Sequence, residues 1–148
     1  MATTVTPPPA TPDFVVEERP DGIIVYHVYK ISQAGTDAYF EAATKHDCEF
    51  AREGKHLRRI YWVHHTFVPT AYLFSRVNEA TRLTPSNLQE SIAVIVPNKV
   101  LYQIVNLFIK RLPEQHARNL SRIFLDEADA LVWLEERDKQ LKKAAAVS

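Results

Sequence analysis

The sequence predicts an α/β protein, β-β-α-β-α-β-α-β-α, with a single mixed, mostly parallel sheet packed with helices. Three observations carry this expectation. Short runs rich in β-branched and aromatic residues alternate with stretches of helical apolar spacing. One run, SIAVIV at 91–96, is continuously apolar, as a strand buried on both faces would be. The segment RIFLDEADALVWLEERDKQL at 122–141 passes from an apolar strand through a capping aspartate into an amphipathic helix.

Residues 1–12 are mostly Thr, Pro and Ala with almost nothing to bury, and are expected to form a disordered tail ahead of one domain over 13–143. Residues 14–18 are a short strand candidate. The turn RPDG at 19–22 follows, where proline presets one backbone angle and glycine tolerates the left-handed one. IIVYHVYKI at 23–31 is the second strand, close enough to the first to make a hairpin. Gly35 interrupts the chain, and Thr36 is a candidate cap for a helix over 37–52 with Tyr39, Phe40, Ala43 and Ala51 at helical spacing; Gly54 ends it.

Residues 58–66 are the third strand. Leu73, Val77 and Ala80 form one stripe of a helix over 69–83, stopped by Thr84, Pro85 and Ser86. After the SIAVIV strand, Asn98 can cap a helix over 99–112, broken by Pro113. Residues 123–125 are the last strand. Asp126 caps a helix striped by Ala130, Leu131, Leu134 and Leu141, with acids first and lysines last, as the helix dipole favours. Strands alternating with helices of crossover length imply parallel pairing with right-handed connections.

Composition narrows the functional classes. At 148 residues there is room for one core. Charges balance at 18 basic and 18 acidic residues, which argues against broad nucleic-acid binding, since that depends on neutralising phosphates. Cys48 is the only cysteine, so no internal disulfide can form and a reducing cytoplasm is expected. MATTVTPPPATPD lacks the basic and apolar regions of a signal peptide, and no segment has the length to span a membrane. Gly22, Gly35 and Gly54 are the only glycines, leaving no phosphate-cradling loop. Neither a cofactor nor a metal is expected.

The element order and the closing RIFLDEADALVWL resemble the STAS-like domain family, which includes bacterial anti-sigma factor antagonists, in its branch without the phosphoserine switch. There, an aromatic strand leads into a helix reading acid, acid, Ala, Leu, Trp, Leu. Asp126, Glu127, Ala130, Leu131, Trp133 and Leu134 hold those positions here. The resemblance implies a non-enzymatic, cytoplasmic bacterial module that regulates by binding another protein, or itself as a homodimer. Anti-sigma antagonists carry a phosphorylated serine beside an aspartate at the helix after the third strand. The matching stretch here, HHTFVPTA at 64–71, has neither residue. Thr66 and Thr70 are the hydroxyls a phosphate could take there, where a helix start would stabilise it. The loop residues His65, Thr66, Pro69 and Thr70 are the expected partner- or ligand-binding segment.

The remaining candidates each have a plain structural alternative. His64 and His65 end a strand, where α/β proteins place ligands. Strand neighbours face opposite ways, so a regular strand cannot bring both to one metal. One of them could serve as a general base, although no nucleophile or second acid is visible. His46, Asp47 and Cys48 are scattered around a helix, short of the converging ligands zinc needs. Lys55, His56, Arg58 and Arg59 form a basic knot, expected to be a solvated strand entrance. Of Tyr61 and Trp62, one must face the core. On the 99–112 helix the apolar residues cover more than about half the circumference. That points to a dimer or partner surface with Leu107 and Ile109 at its outer edges, and Trp133 is a further candidate anchor. The apolar and aromatic content also suits a pocket between sheet and helix for a lipid or other small apolar ligand.

Overall fold

A tight turn sets the first register. In the computed structural model, which describes residues 14–29, 32–64, 70–111 and 119–147, β1 (Phe14–Glu18) pairs antiparallel with β2 (Ile24–Val28), Phe14 opposite Val28 and Glu18 opposite Ile24. The backbone N–H of Gly22 donates to the Arg19 carbonyl at 3.0 Å, and Gly22 has φ 88°. A Cβ at that φ would be strained. There follow α1 (Gln33–Glu53), β3 (His56–Val63), α2 (Ala71–Leu83), β4 (Gln89–Ile95), α3 (Lys99–Lys110), β5 (Asn119–Phe124) and α4 (Glu127–Val147). The sheet runs β1-β2-β3-β4-β5, with β2 to β5 parallel. The chain is thus α/β, with one mixed sheet of five strands and four helices among the described residues.

Several ends differ from expectation, each for a local reason. The α1 cap is Ser32, not Thr36: the Ser32 hydroxyl accepts from the Gly35 N–H at 3.0 Å, so Gly35 and Thr36 lie inside the first turn. β3 starts two residues early, at His56, and β5 four residues early, at Asn119. The added residues of β5 are held by backbone pairing with β4, a source of order that carries no hydrophobic signature. Other caps follow the sequence: Gly54 closes α1 with φ 67°, Asn98 accepts from Leu101 N–H at 2.9 Å, and Asp126 accepts from Ala128 N–H at 2.8 Å. The tail over 1–12 lies outside the described residues.

Side-chain alternation divides the sheet between two helix layers. Ile24, Tyr26 and Leu57 pack with Ala51 of α1, and Val63, Val94 and Ile123 pack with Leu101 and Val105 of α3. The opposite parity (Val25, Ile60, Ala93, Ile95 and Phe124) packs under Ala130 and Leu134 of α4. α4 covers β3, β4 and β5. On α4 the buried positions Ala130, Leu134, Arg137 and Leu141 recur every three or four residues, the spacing of one helix face.

α2 is the exception. None of its residues is buried, and its main packing partner is α1. The Tyr72 hydroxyl donates to Asp37, Arg76 lies 3.4 Å from the same carboxylate and 5.2 Å over the Phe40 ring, and Phe74 meets Phe108 of α3 edge-on at 5.9 Å. No helix among the described residues is long and apolar enough to cross a membrane.

Leu134 is the knob joining α4 to the sheet, with 0 % exposure. Leu134→Ala should lower stability by about 2–5 kcal/mol through lost burial and the cavity left behind. A urea titration checks this, with a lower midpoint at an unchanged slope expected.

Candidate functional site

Because α2 stands off the sheet, a cavity of about 250 Å³ lies beneath it. Its floor is one face of two parallel strands: Arg59, Tyr61 and Val63 of β3, and Glu90, Ile92 and Val94 of β4. α1 supplies Tyr39, Phe40, Ala43, Thr44 and Asp47. α3 supplies Val105, Phe108 and Ile109, and the α2 stripe of Leu73, Val77 and Ala80 forms the roof. The lining is mostly apolar with a few converging polar groups, the composition of a small-molecule site.

The polar end is built on Arg59, only 3 % exposed. Its Nη1 pairs with Glu90, its Nη2 lies 2.6 Å from Asp47 and donates to the Ala43 carbonyl at 2.8 Å, and its Nε donates to the Tyr26 hydroxyl at 3.3 Å. Tyr26 in turn bonds His46 Nδ1 at 2.9 Å, and His46 Nε2 lies 3.4 Å from Glu18. The tautomer with hydrogen on Nε2 satisfies both partners. Burial works against the Arg59 charge, but Glu90, and more weakly Asp47, hold its pKa well above the ordinary value. Burial raises Asp47 and Glu90 despite the pull of Arg59. Tyr39 and Tyr61 share a hydroxyl–hydroxyl bond, and burial raises both phenols.

A second cluster lies on the α4 side, where the parallel strands begin. His56 Nδ1 donates to Asp138 at 2.9 Å, His56 Nε2 accepts from the Ser91 hydroxyl at 2.8 Å, and Arg137 Nε donates to the same Ser91 oxygen at 3.1 Å. Serine, imidazole and carboxylate stand in the order of a hydrolytic triad. However, Ser91 is 0 % exposed, so no substrate carbon can approach its oxygen. The cluster is a buried tie between α4 and the sheet.

The third cluster sits on the α4 face at the carboxyl ends of β2 and β3. Glu17 accepts from His27 Nε2 at 3.1 Å, and His27 Nδ1 lies 2.7 Å from His64 Nε2. The His64 ring stacks on Tyr29, His27 and Trp62 at 4.6, 5.0 and 5.2 Å between centroids. With His27 Nε2–H donating to Glu17, His27 Nδ1 is the acceptor and His64 Nε2–H the donor between the two rings. Neither histidine lines the cavity.

The residues singled out by sequence are thus dispersed. His65, Thr66 and Pro69 lie outside the described residues. Thr70 is the α2 cap, its hydroxyl accepting from Leu73 N–H at 3.0 Å. Leu107 is 60 % exposed on the outer side of α3. Ile109 instead turns inward to the cavity and the α3 core cluster, because the helix turn carries it past the outer edge. Trp133 is half-buried against Phe124, at 5.7 Å between ring centroids, and closes the core under α4. The basic knot is divided: strand alternation sends Arg59 to the cavity and His56 to Ser91, while Lys55 stays exposed as expected and Arg58 donates to the Asp21 carbonyl at 2.6 Å. Tyr61 and Trp62 each pack on a core cluster, one per face. Cys48 is exposed. No group of three or more His, Cys, Asp or Glu among the described residues could hold a metal ion.

Sequence reasoning missed Arg59, Asp47 and Glu90 as a unit. The available signal was Arg59 itself, an arginine alternating with Leu57, Tyr61 and Val63 on the inward parity of a strand. No family model matches the chain, and no curated protein or solved structure matches it. The STAS-like resemblance therefore rests on the element order and the closing segment.

Burial holds His56 below the ordinary histidine value, against the opposing pull of Asp138, and burial and His27 do the same to His64. A fold that keeps these rings neutral binds fewer protons than the unfolded chain. Their contribution is full above about pH 6.5 and is lost as pH falls below it. Asp47 and Glu90, raised in the fold by burial, act in the opposite sense, gaining protons in the fold before the unfolded chain does as pH falls. Thermal unfolding between about pH 7.5 and 5.5 should show a falling midpoint, with a shallower slope in His56→Gln.

Proposed function

We propose that the protein is a non-catalytic binding module for a small apolar molecule held between the sheet and the α1–α3 layer. The observation that supports this reading is the cavity itself: an apolar chamber under a helix with no buried residue, ending at a fully engaged arginine. Its volume equals roughly eight water molecules in the liquid, enough for a ligand on the order of ten heavy atoms. The roof helix is tied at a few polar points, so admitting a ligand would not require opening the core.

A second reading is favoured by a separate observation on α3. Val100 is 70 % and Leu107 60 % exposed, two large apolar side chains on the outer side of a helix. Such residues suit a protein partner or a second copy of the chain. The two readings join in a STAS-like regulatory module, in which the occupant of the cavity shifts α2 and α3 and so changes the docking face. A cytoplasmic bacterial setting would suit a chain with one exposed, unpaired cysteine.

Neutral n-octanol is a fair probe of the cavity. Added to the full chain, it should shift the methyl NMR signals of Val77, Val94 and Val105 in a saturable way, and leave those of the α4 cluster unmoved. Ala80→Phe, which fills the roof, should weaken that binding at least about tenfold. Absence of saturable shifts would refute the reading. The α3 surface is tested by solution mass against concentration, where self-association should weaken in Leu107→Glu.

A further inference from the structure

We propose that the cavity selects an apolar amine, a small alkyl- or arylalkyl-ammonium whose cationic head meets Asp47 and Glu90 while its chain lies against Val77, Ile92, Val105 and Phe108. This rests on the binding reading above and adds the charge and class of the ligand.

The first support is a charge count. Arg59, Asp47 and Glu90 are the charged residues of the lining, one cation against two anions. With both carboxylates ionised, the chamber faces its ligand with one uncompensated negative charge. In surroundings of low dielectric such an excess is felt far more than in water.

The second support is the state of the guanidinium. Its three nitrogens are all engaged, with Tyr26, Glu90, Asp47 and the Ala43 carbonyl. A ligand carboxylate would find its natural partner taken and would lie beside two like charges. An ammonium faces the reverse situation. Arg59 is the ion-pair partner of both carboxylates among the described residues, and an ionised carboxylate offers about four acceptor positions. The rings of Tyr39 and Tyr61 line the same cavity, and aromatic faces attract cations.

The proton balance follows. Burial raises both carboxyls, which favours a proton on one of them before a ligand arrives. An ammonium supplies the positive charge instead, so that proton leaves to solvent as the amine binds. Binding should then tighten as pH rises through the range in which the carboxyls titrate.

The test compares three ligands of one chain length on the full protein by calorimetry: octylamine, n-octanol and octanoate. Octylamine should bind at least about tenfold tighter than octanol, with octanoate weakest. Glu90→Gln and, separately, Asp47→Asn should bring the amine-to-alcohol ratio towards one, and Ala80→Phe should abolish amine binding. Octanoate equal to or tighter than octylamine, or an amine no better than the alcohol, overturns the charge assignment while leaving the cavity reading in place. Failure of all three ligands overturns both.

Discussion

Each parallel strand of this sheet is laid on the same side of its predecessor, and right-handed connections then return the chain over a single face. Three helices must share that face. Strands are spaced about 4.8 Å apart, so β2 to β5 span only about 14 Å. Three helices side by side need about 16–20 Å between the outer axes. The outer two, α1 and α3, reach the sheet, and the middle one is lifted. The cavity follows from that mismatch of spacings as directly as from any residue around it. Among the described helices the same topology leaves α4 alone on the opposite face, where its main contacts are with β3, β4 and β5. The Glu17–His27–His64 stack lies on that same face, on the β1 side of β3.

The arginine at the end of the cavity is costly to bury, and it persists because it is heavily engaged. Breaking such a group from its partners costs about 3–5 kcal/mol, whereas replacing the whole set with apolar residues can be neutral. The cluster is therefore weak evidence for stability and stronger evidence for a requirement of position. It joins β2, β3, β4 and α1 at one point. The His56–Ser91–Asp138 tie does comparable work for α4 on the other face, near the same end of the strands, where Glu90 and Ser91 are neighbours in β4. Two polar pins, one per face, fix how the helix layers sit on a sheet whose apolar contacts alone would allow sliding.

Much of the architecture was legible because alternation and helical spacing report directly on which face is covered. The α2 stripe of Leu73, Val77 and Ala80 was readable as inward-facing, although nothing in it said that the space beneath would stay unfilled. The early residues of β5 were not legible, since Asn119 and Ser121 belong to the strand through backbone pairing with β4. The Arg59 cluster draws on residues 12 and 31 positions away in sequence, and the Ser91 cluster on residues 35 and 46 positions away. No local pattern encodes such meetings. His56 and Arg59 looked like surface charge because adjacent basic residues usually are; only the pairing of β3 with β4 and α1 reveals the carboxylates and the hydroxyl that receive them.

One consequence follows from how the roof helix is fastened. Asp37 receives both the Tyr72 hydroxyl and the Arg76 guanidinium, so a single carboxylate anchors much of α2. Detaching it disturbs no residue of the three apolar clusters. α2 is thus the one described helix whose displacement would leave all three apolar clusters intact, so its opening would depend on this peripheral fastening and not on resistance to global denaturation.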